Sequence, residues 1–280
     1  MKRLWFVPIA LLVLVAGCFE DNNHNVVAPR DTVAPAAPRG LFSVTGDGEV
    51  FLHWQANTES DVVGYRVYKS PCASGSSCPY DLVGATTGTS FTVSGLSNGV
   101  TRFFAVAAYD RAGNESDLSY NDLDDTPRPE GFGRSLTNAT DGPATAGWDF
   151  SAFAVVPWDD THADVYFSKS GGVLHMVAPF VDTNLQDAGF ASSLDAVDFA
   201  PTSGWSPSGT VELIVGHCYV ARIDASPTIS NYAKFRVTSL DASQVTFDWA
   251  YQTDPNNGQL SQTHTRSEGT STTRVRRSAS

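Results

Sequence analysis

Basic residues are scarce in this chain: Lys and Arg number 18 against 30 Asp and Glu, for a formal net charge of -12. A surface so balanced repels phosphate backbones and anionic headgroups, which argues against nucleic-acid binding and against adsorption onto acidic lipid. Long apolar runs are lacking too. The most marked one, Leu4 to Val15 with Pro8 inside it, is too short to cross roughly 30 Å of hydrocarbon. Catalytic signatures are missing. Gly204-Trp205-Ser206-Pro207-Ser208 lacks the second glycine of a nucleophile elbow, and the sequence has no H-E-x-x-H, no phosphate-binding glycine loop and no D-x-D-x-D-G calcium loop. The acid pairs Asp124-Asp125 and Asp159-Asp160 stand in turn-like contexts, and acids that cleave glycosides are defined by spatial spacing that a sequence does not display. The expectation is a protein that is not an enzyme. Cysteine is limited to Cys18, Cys72, Cys78 and Cys218.

What is present begins with Lys2 and Arg3 ahead of the short apolar run, the layout of a signal peptide. Val15-Ala16-Gly17-Cys18 resembles the bacterial lipobox, which implies a signal over residues 1–17 and a lipidated Cys18 at the head of the mature chain; an ordinary secretory signal is the alternative. Two or three acyl chains would hold such a protein on a membrane that it does not span. Residues 18–33 are polar, then proline-bearing, and read as a flexible leash. Glu20 and Asp21 resemble the acidic export signals of some bacterial lipoproteins, and Phe19 is not the aspartate that retains lipoproteins in the inner membrane of enteric bacteria. The expected location is the outer membrane, on its periplasmic or outer face.

From residue 34 the texture is all-β. Val50, Leu52 and Trp54 alternate on one face of a strand, as do Val63, Tyr65 and Val67; Phe91 and Val93, then Phe104, Val106 and Ala108, repeat the pattern. With the opening "APAAPRGLFSV", Trp54, "GYRVYKS" and "GLSNGVTRFFAVAAYDRAGNES", residues 34–127 resemble a fibronectin type III domain, an immunoglobulin-like β-sandwich. Arg102 stands where that family usually carries its corner tyrosine, so the corner must be held another way, for instance by Phe103. The tip Asp110-Arg111-Ala112-Gly113-Asn114 is not the Arg-Gly-Asp of integrin-binding members, and a spacer role is the plain reading of this domain. Cys72 and Cys78 are close in an exported chain and are expected to form a disulfide closing a small loop; Cys218, in a strand, reads as a buried thiol.

"LDDTPRPEG" at 123–131 reads as a linker crossed by few contacts, followed by a second β-rich domain over 131–261. A hairpin is expected around Ser170-Gly171-Gly172. "TVELIVGHCYVARI", "NYAKFRVTSL" and "SQVTFDWAYQ" form an antiparallel meander in which Ala233, Phe235 and Val237 oppose Lys234, Arg236 and Thr238. Residues 182–209 read as a long irregular loop, with one short helix at Leu194 and Val197 capped by Ser192 or Ser193; its aromatics Phe190, Phe199 and Trp205 are either a ligand site or a plug over the sheet. The tail 262–280 is polar, locally basic and expected to be disordered.

"GWDFSAF" with the meander resembles, loosely, the HmuY-like haem-carrying lipoproteins. That resemblance implies two axial histidines among His162, His175 and His217, without selecting a pair, and haem as the cofactor; otherwise no cofactor or metal is expected. His175 shares a strand face with Val173 and Val177 and fits a structural histidine as well as a ligand. Trp148, Trp158, Trp205 and Trp249 are candidate stacking platforms for a carbohydrate, with Trp249 better suited to a core. Three functions are therefore open: a lipid-anchored envelope protein with a non-catalytic binding, adhesion or assembly role toward a protein, polysaccharide or small molecule; a haem or small-ligand carrier; or an envelope hydrolase or carbohydrate-binding accessory protein.

Overall fold

A computed structural model describes residues 30–73, 78–119 and 123–261. Cys18, the signal and most of the leash, and the tail from residue 262, lie outside the described residues. The described chain is built of antiparallel sheets, with two three-residue 3₁₀ turns, Pro143–Thr145 and Leu194–Ala196. The described residues from Thr32 to Ser261 belong to one unit.

Seven strands make the first sandwich: β1 (Phe42–Thr45), β2 (Val50–His53), β3 (Val62–Ser70), β4 (Asp81–Thr86), β5 (Ser90–Val93), β6 (Arg102–Asp110) and β7 (Leu123–Asp125). They pair as β1-β2-β5 and β4-β3-β6-β7, and the arrangement is a fibronectin type III-like sandwich. Alternation explains its core, since Leu41, Val50, Leu52, Trp54, Tyr65, Val67, Phe104, Val106 and Ala108 all point between the sheets and are buried. Val63 does not join them and is 36% exposed, because a register shift between Val62 and Gly64 breaks the alternation there. Near the corner one backbone and one side-chain hydrogen bond tie the chain down: Gly99 N–H donates to the Pro127 carbonyl at 2.8 Å, and Thr101 and Thr126 hydroxyls meet at 2.8 Å. Phe103 packs elsewhere, beside Tyr68 and Tyr80. Cys72 and Cys78 are joined, with Cα atoms 5.3 Å apart.

The second sandwich contains β8 (Glu130–Thr137), β9 (Gly147–Asp149), β10 (Ala154–Val156), β11 (Val165–Ser170), β12 (Val173–Val177), β13 (Thr183–Phe190), β14 (Thr210–Glu212), β15 (His217–Ser226), β16 (Ile229–Leu240) and β17 (Gln244–Gln252). Its sheets run β10-β9-β11-β12-β14 and β13-β15-β16-β17-β8. Between them Trp148, Phe167, Met176, Tyr219, Phe235, Phe247 and Trp249 interlock, with Trp148 edge-on to Phe247 at 6.0 Å and Tyr219 stacked on Phe235 at 5.1 Å; such pairs add to simple area burial. Gly131 is required by this packing, as a Cβ there would lie 2.6 Å from the Trp249 ring nitrogen. The segment 183–190 is a strand and not part of a loop: β13 pairs with β15 from Thr183↔Ile223 to Asp187↔Tyr219.

The linker differs from expectation. Asp125, Thr126, Pro127, Arg128 and Pro129 are all buried. Arg128, wholly buried, donates from Nε to the Leu260 carbonyl at 2.5 Å, and from its other nitrogens to Glu130 at 2.7 Å, Asp195 at 3.2 Å and Ser261 at 3.1 Å. A buried guanidinium requires this kind of satisfaction, because its charge cannot be shed. The junction is therefore a packed joint in place of an open leash.

Candidate functional site

The two sheets of the second sandwich treat their outer faces differently. On the β13-β15-β16-β17-β8 sheet, residues 191–209 and 253–261 fold across the strands. Lys234 Nζ donates to Ser261 Oγ at 2.5 Å and to the Val197 carbonyl at 3.1 Å, and Arg236 Nε to the Ala191 carbonyl at 2.8 Å. Arg222 lies over the Trp205 ring at 5.3 Å. Ala191, Leu194, Cys218 and Ala250 close a small apolar cluster beneath this cover. Burial, first of all, pushes the Lys234 ammonium down to about 7, with the neighbouring Arg128 charge adding to it, and pushes the Cys218 thiol up to about 11. Residues 191–209 thus cover part of a sheet face with Trp205 packed under Arg222, whereas Phe190 is 76% and Phe199 47% exposed and neither plugs the sheet. The 3₁₀ turn of this segment follows Ser193, whose side chain makes no capping bond.

The outer face of β10-β9-β11-β12-β14 is open. Val165 and Phe167 point inward on β11 and Met176 inward on β12, so Tyr166 and Ser168, with their cross-strand partners Val177 and His175, point out. His175 in turn opposes Glu212, and Val177 opposes Thr210, on β14. Trp158 completes the row. Its ring sits 5.4 Å from that of Tyr166 at an interplanar angle of 53°, its amide donates to the Pro143 carbonyl at 3.0 Å, and it is 38% exposed. A glycine makes this placement possible: any Cβ at Gly147 would lie 2.8 Å from the Pro157 carbonyl oxygen, so a side chain there would force the Trp158 turn away. From β9 to β14 the face spans three strand spacings, roughly 14 Å. Among the described residues, no hydrogen bond engages the side chains of Ser168, His175 or Glu212, nor the Tyr166 hydroxyl.

At one edge the chain turns through Asp149, whose Oδ1 accepts from Ser151 N at 2.8 Å, Ser151 Oγ at 2.7 Å and Ala152 N at 2.9 Å. This turn sets Phe153 at φ 57°, an uncommon conformation for a bulky residue, and stacks it on Trp249 at 5.2 Å. Asp164 accepts from Phe150 N at 2.7 Å. Burial raises its carboxyl to about 7, with the Asp149 and Asp182 charges adding to the effect.

The three candidate histidines occupy separate places. His162 is on an exposed loop with Nδ1 2.9 Å from Asp160, His175 is on the open face, and His217 begins β15 in the other sheet with Nδ1 3.0 Å from Asp187. No two of them oppose each other across strands. Of the tryptophans, Trp148 and Trp249 are core, Trp205 lies under Arg222, and Trp158 is the one on the open face. Tyr166, Ser168 and Glu212 were missed by sequence reasoning. The outward positions of β11 and β14 carry the signal, but it emerges only once the strand neighbours are known.

No protein-family model matches the chain. It is similar to an amylopullulanase of Thermoanaerobacterium saccharolyticum, 29% identical over 139 residues that make up 49% of this chain and 10% of the enzyme. It is likewise similar to chitinase A1 of Niallia circulans, 36% over 124 residues, 43% of this chain and 16% of the enzyme, and to exoglucanase B of Cellulomonas fimi, 30% over 164 residues, 55% of this chain and 14% of the enzyme. The chain thus spans a small part of these relatives. Among solved structures, an Fn3-like protein from Clostridium thermocellum matches with a TM-score of 0.27 and 28% identity, over 33% of this chain and 90% of that one. The spore cortex lytic enzyme SleM of Clostridium perfringens matches with a TM-score of 0.26 and 21% identity, over 33% of this chain and 28% of that one. The chain has a fibronectin type III-like segment and resembles regions of much larger carbohydrate-active enzymes.

Proposed function

We propose that this protein is a non-catalytic, polysaccharide-binding accessory protein of the bacterial envelope, held by a lipid on Cys18, with the second sandwich as the binding domain and the first as its carrier. The observation that carries the reading is the contrast between the two outer faces. One is covered by its own loops, which tie down Lys234 and Arg236 on that side. The other is open, with an aromatic pair beside unengaged hydroxyl, imidazole and carboxylate groups. Sugar rings present an apolar face and a rim of hydroxyls, so they call for an aromatic surface with a few placed polar groups. The relatives act on polysaccharides according to their names, and this chain matches small portions of them, which agrees with an accessory role.

The test is retention of the purified mature chain on insoluble α-glucan, β-glucan and chitin. Retention that Trp158→Ala and Tyr166→Ala both abolish, with the fold intact by circular dichroism, supports the reading. Retention indifferent to both variants contradicts the site, and no retention on any polymer contradicts the function. For the anchor, Cys18→Ser should release the protein from the membrane fraction or block its processing; a variant that stays membrane-bound and normally processed would exclude lipidation at Cys18.

A further inference from the structure

We infer that the open face, taken as the polysaccharide site proposed above, selects uncharged glycan chains laid across the strands and rejects polyanionic ones. The inference rests on that reading and adds the ligand class. Charge decides it. The carboxylate on the face is Glu212, directly across from His175, and it makes no ion pair among the described residues. Asp159 and Asp160 flank the Trp158 turn, with Asp160 bound to the exposed His162. Lys169, at the exposed end of β11, is the one cationic side chain of β9, β10, β11, β12 and β14. These groups belong to a chain whose net charge is -12. A uronate or sulfated polymer reaching Trp158 and Tyr166 would therefore set its charges against Glu212 and Asp159, without the arginine forks that recognise such anions.

An uncharged chain meets no such repulsion. Its rings stack on the Trp158–Tyr166 pair, and its hydroxyls, which both donate and accept, match the mixed set offered by the Tyr166 hydroxyl, Ser168, His175 and Glu212. Orientation follows from the same layout. The aromatic pair sits at the β9–β11 side and the His175–Glu212 pair at the β12–β14 side, so a chain that uses both must cross the strands, and roughly 14 Å of face favours an oligomer over a single ring. Binding of this kind is stacking and hydrogen bonding, so it should hold as salt rises, whereas attraction between opposite charges would fade.

The test is affinity electrophoresis or calorimetry of the full mature chain with soluble neutral glucans, a polyuronate and a sulfated polysaccharide, each at low and high salt, for wild type, Trp158→Ala and Glu212→Lys. The expected result is binding to a neutral glucan that changes less than about twofold with salt and is lost in Trp158→Ala. Wild type should bind either polyanion at least about fivefold more weakly than the charge-reversed Glu212→Lys. Polyanion binding by wild type that Trp158→Ala abolishes would overturn the ligand class while leaving the site standing. Binding of neither class would overturn the site and, with it, the inference.

Discussion

Four tryptophans in the second sandwich meet different fates, and the strand geometry around each one decides which. Trp148 and Trp249 lie on inward positions and belong to the core, so Trp148→Ala should cost about 3–5 kcal/mol in a denaturant titration. Trp158 is partly exposed beside Tyr166, and its replacement by alanine should leave stability within about 0.5 kcal/mol while removing glycan retention. A Trp158→Ala chain that unfolds as readily as Trp148→Ala would make Trp158 a packing residue. Lys234 gives a pH prediction. Its folded pKa of about 7 lies below its ordinary 10.5 because the charged form is buried, so the unfolded chain binds the proton more tightly between these values. On its account stability is lowest below pH 7 and rises as pH climbs toward 10.5. Lys234→Met should stabilise the protein at pH 7 and flatten that slope, and a slope unchanged by the substitution would remove Lys234 as its source. Asp164 acts oppositely: a carboxyl raised from 3.8 to about 7 makes its contribution fall as pH rises through that window, and Asp164→Asn should abolish the fall.

At the scale of elements, the strands most legible in the sequence were those with two large apolar residues in alternation. The hairpin of β11 and β12 and the meander of β15, β16 and β17 are of this kind; Ala233, Phe235 and Val237 face the core as the alternation implies, whereas Lys234 on the opposite face is buried under the covering segments and not in water. β13 was hidden because Thr183 and Leu185 are its buried positions while Asp187, next in the alternation, is exposed, and an edge strand needs less apolar surface than a central one. The packed linker was hidden for another reason. Its order comes from Arg128, whose partners Asp195, Leu260 and Ser261 are remote in sequence, and a proline-bearing polar stretch gives no sign of such closure. The open face was half legible: Trp158 stood among the candidates, but its neighbours come from three strands. Ser261 permits a direct check of the closure. Its hydroxyl accepts from Lys234 and Arg128 and donates to Asp195 at 2.8 Å, so Ser261→Ala leaves buried charges short of partners and should cost about 1–3 kcal/mol. A loss under 0.3 kcal/mol, about the scatter of such measurements, would mean that the cover is held by its apolar cluster alone.

Across the whole molecule, a fibronectin type III-like sandwich is joined through a buried arginine to a second sandwich with one outer face partly covered by its own loops and one open. The joint implies that the second sandwich cut at residue 131 is handicapped, since it loses Arg128 and Glu130 while keeping Lys234 and Asp195. It should melt several degrees below the same sandwich in the full chain, and equal melting would make the joint energetically idle. The proposed division of labour puts recognition on the open face, and the most direct measurement is retention of the full mature chain on an insoluble neutral polysaccharide, comparing wild type with Trp158→Ala, Tyr166→Ala and, as a control, Phe132→Ala. Phe132 is 71% exposed on β8 in the opposite sheet. The account predicts that wild type and Phe132→Ala are retained alike while Trp158→Ala and Tyr166→Ala pass through. Equal retention of all four, or loss in Phe132→Ala alone, would contradict it.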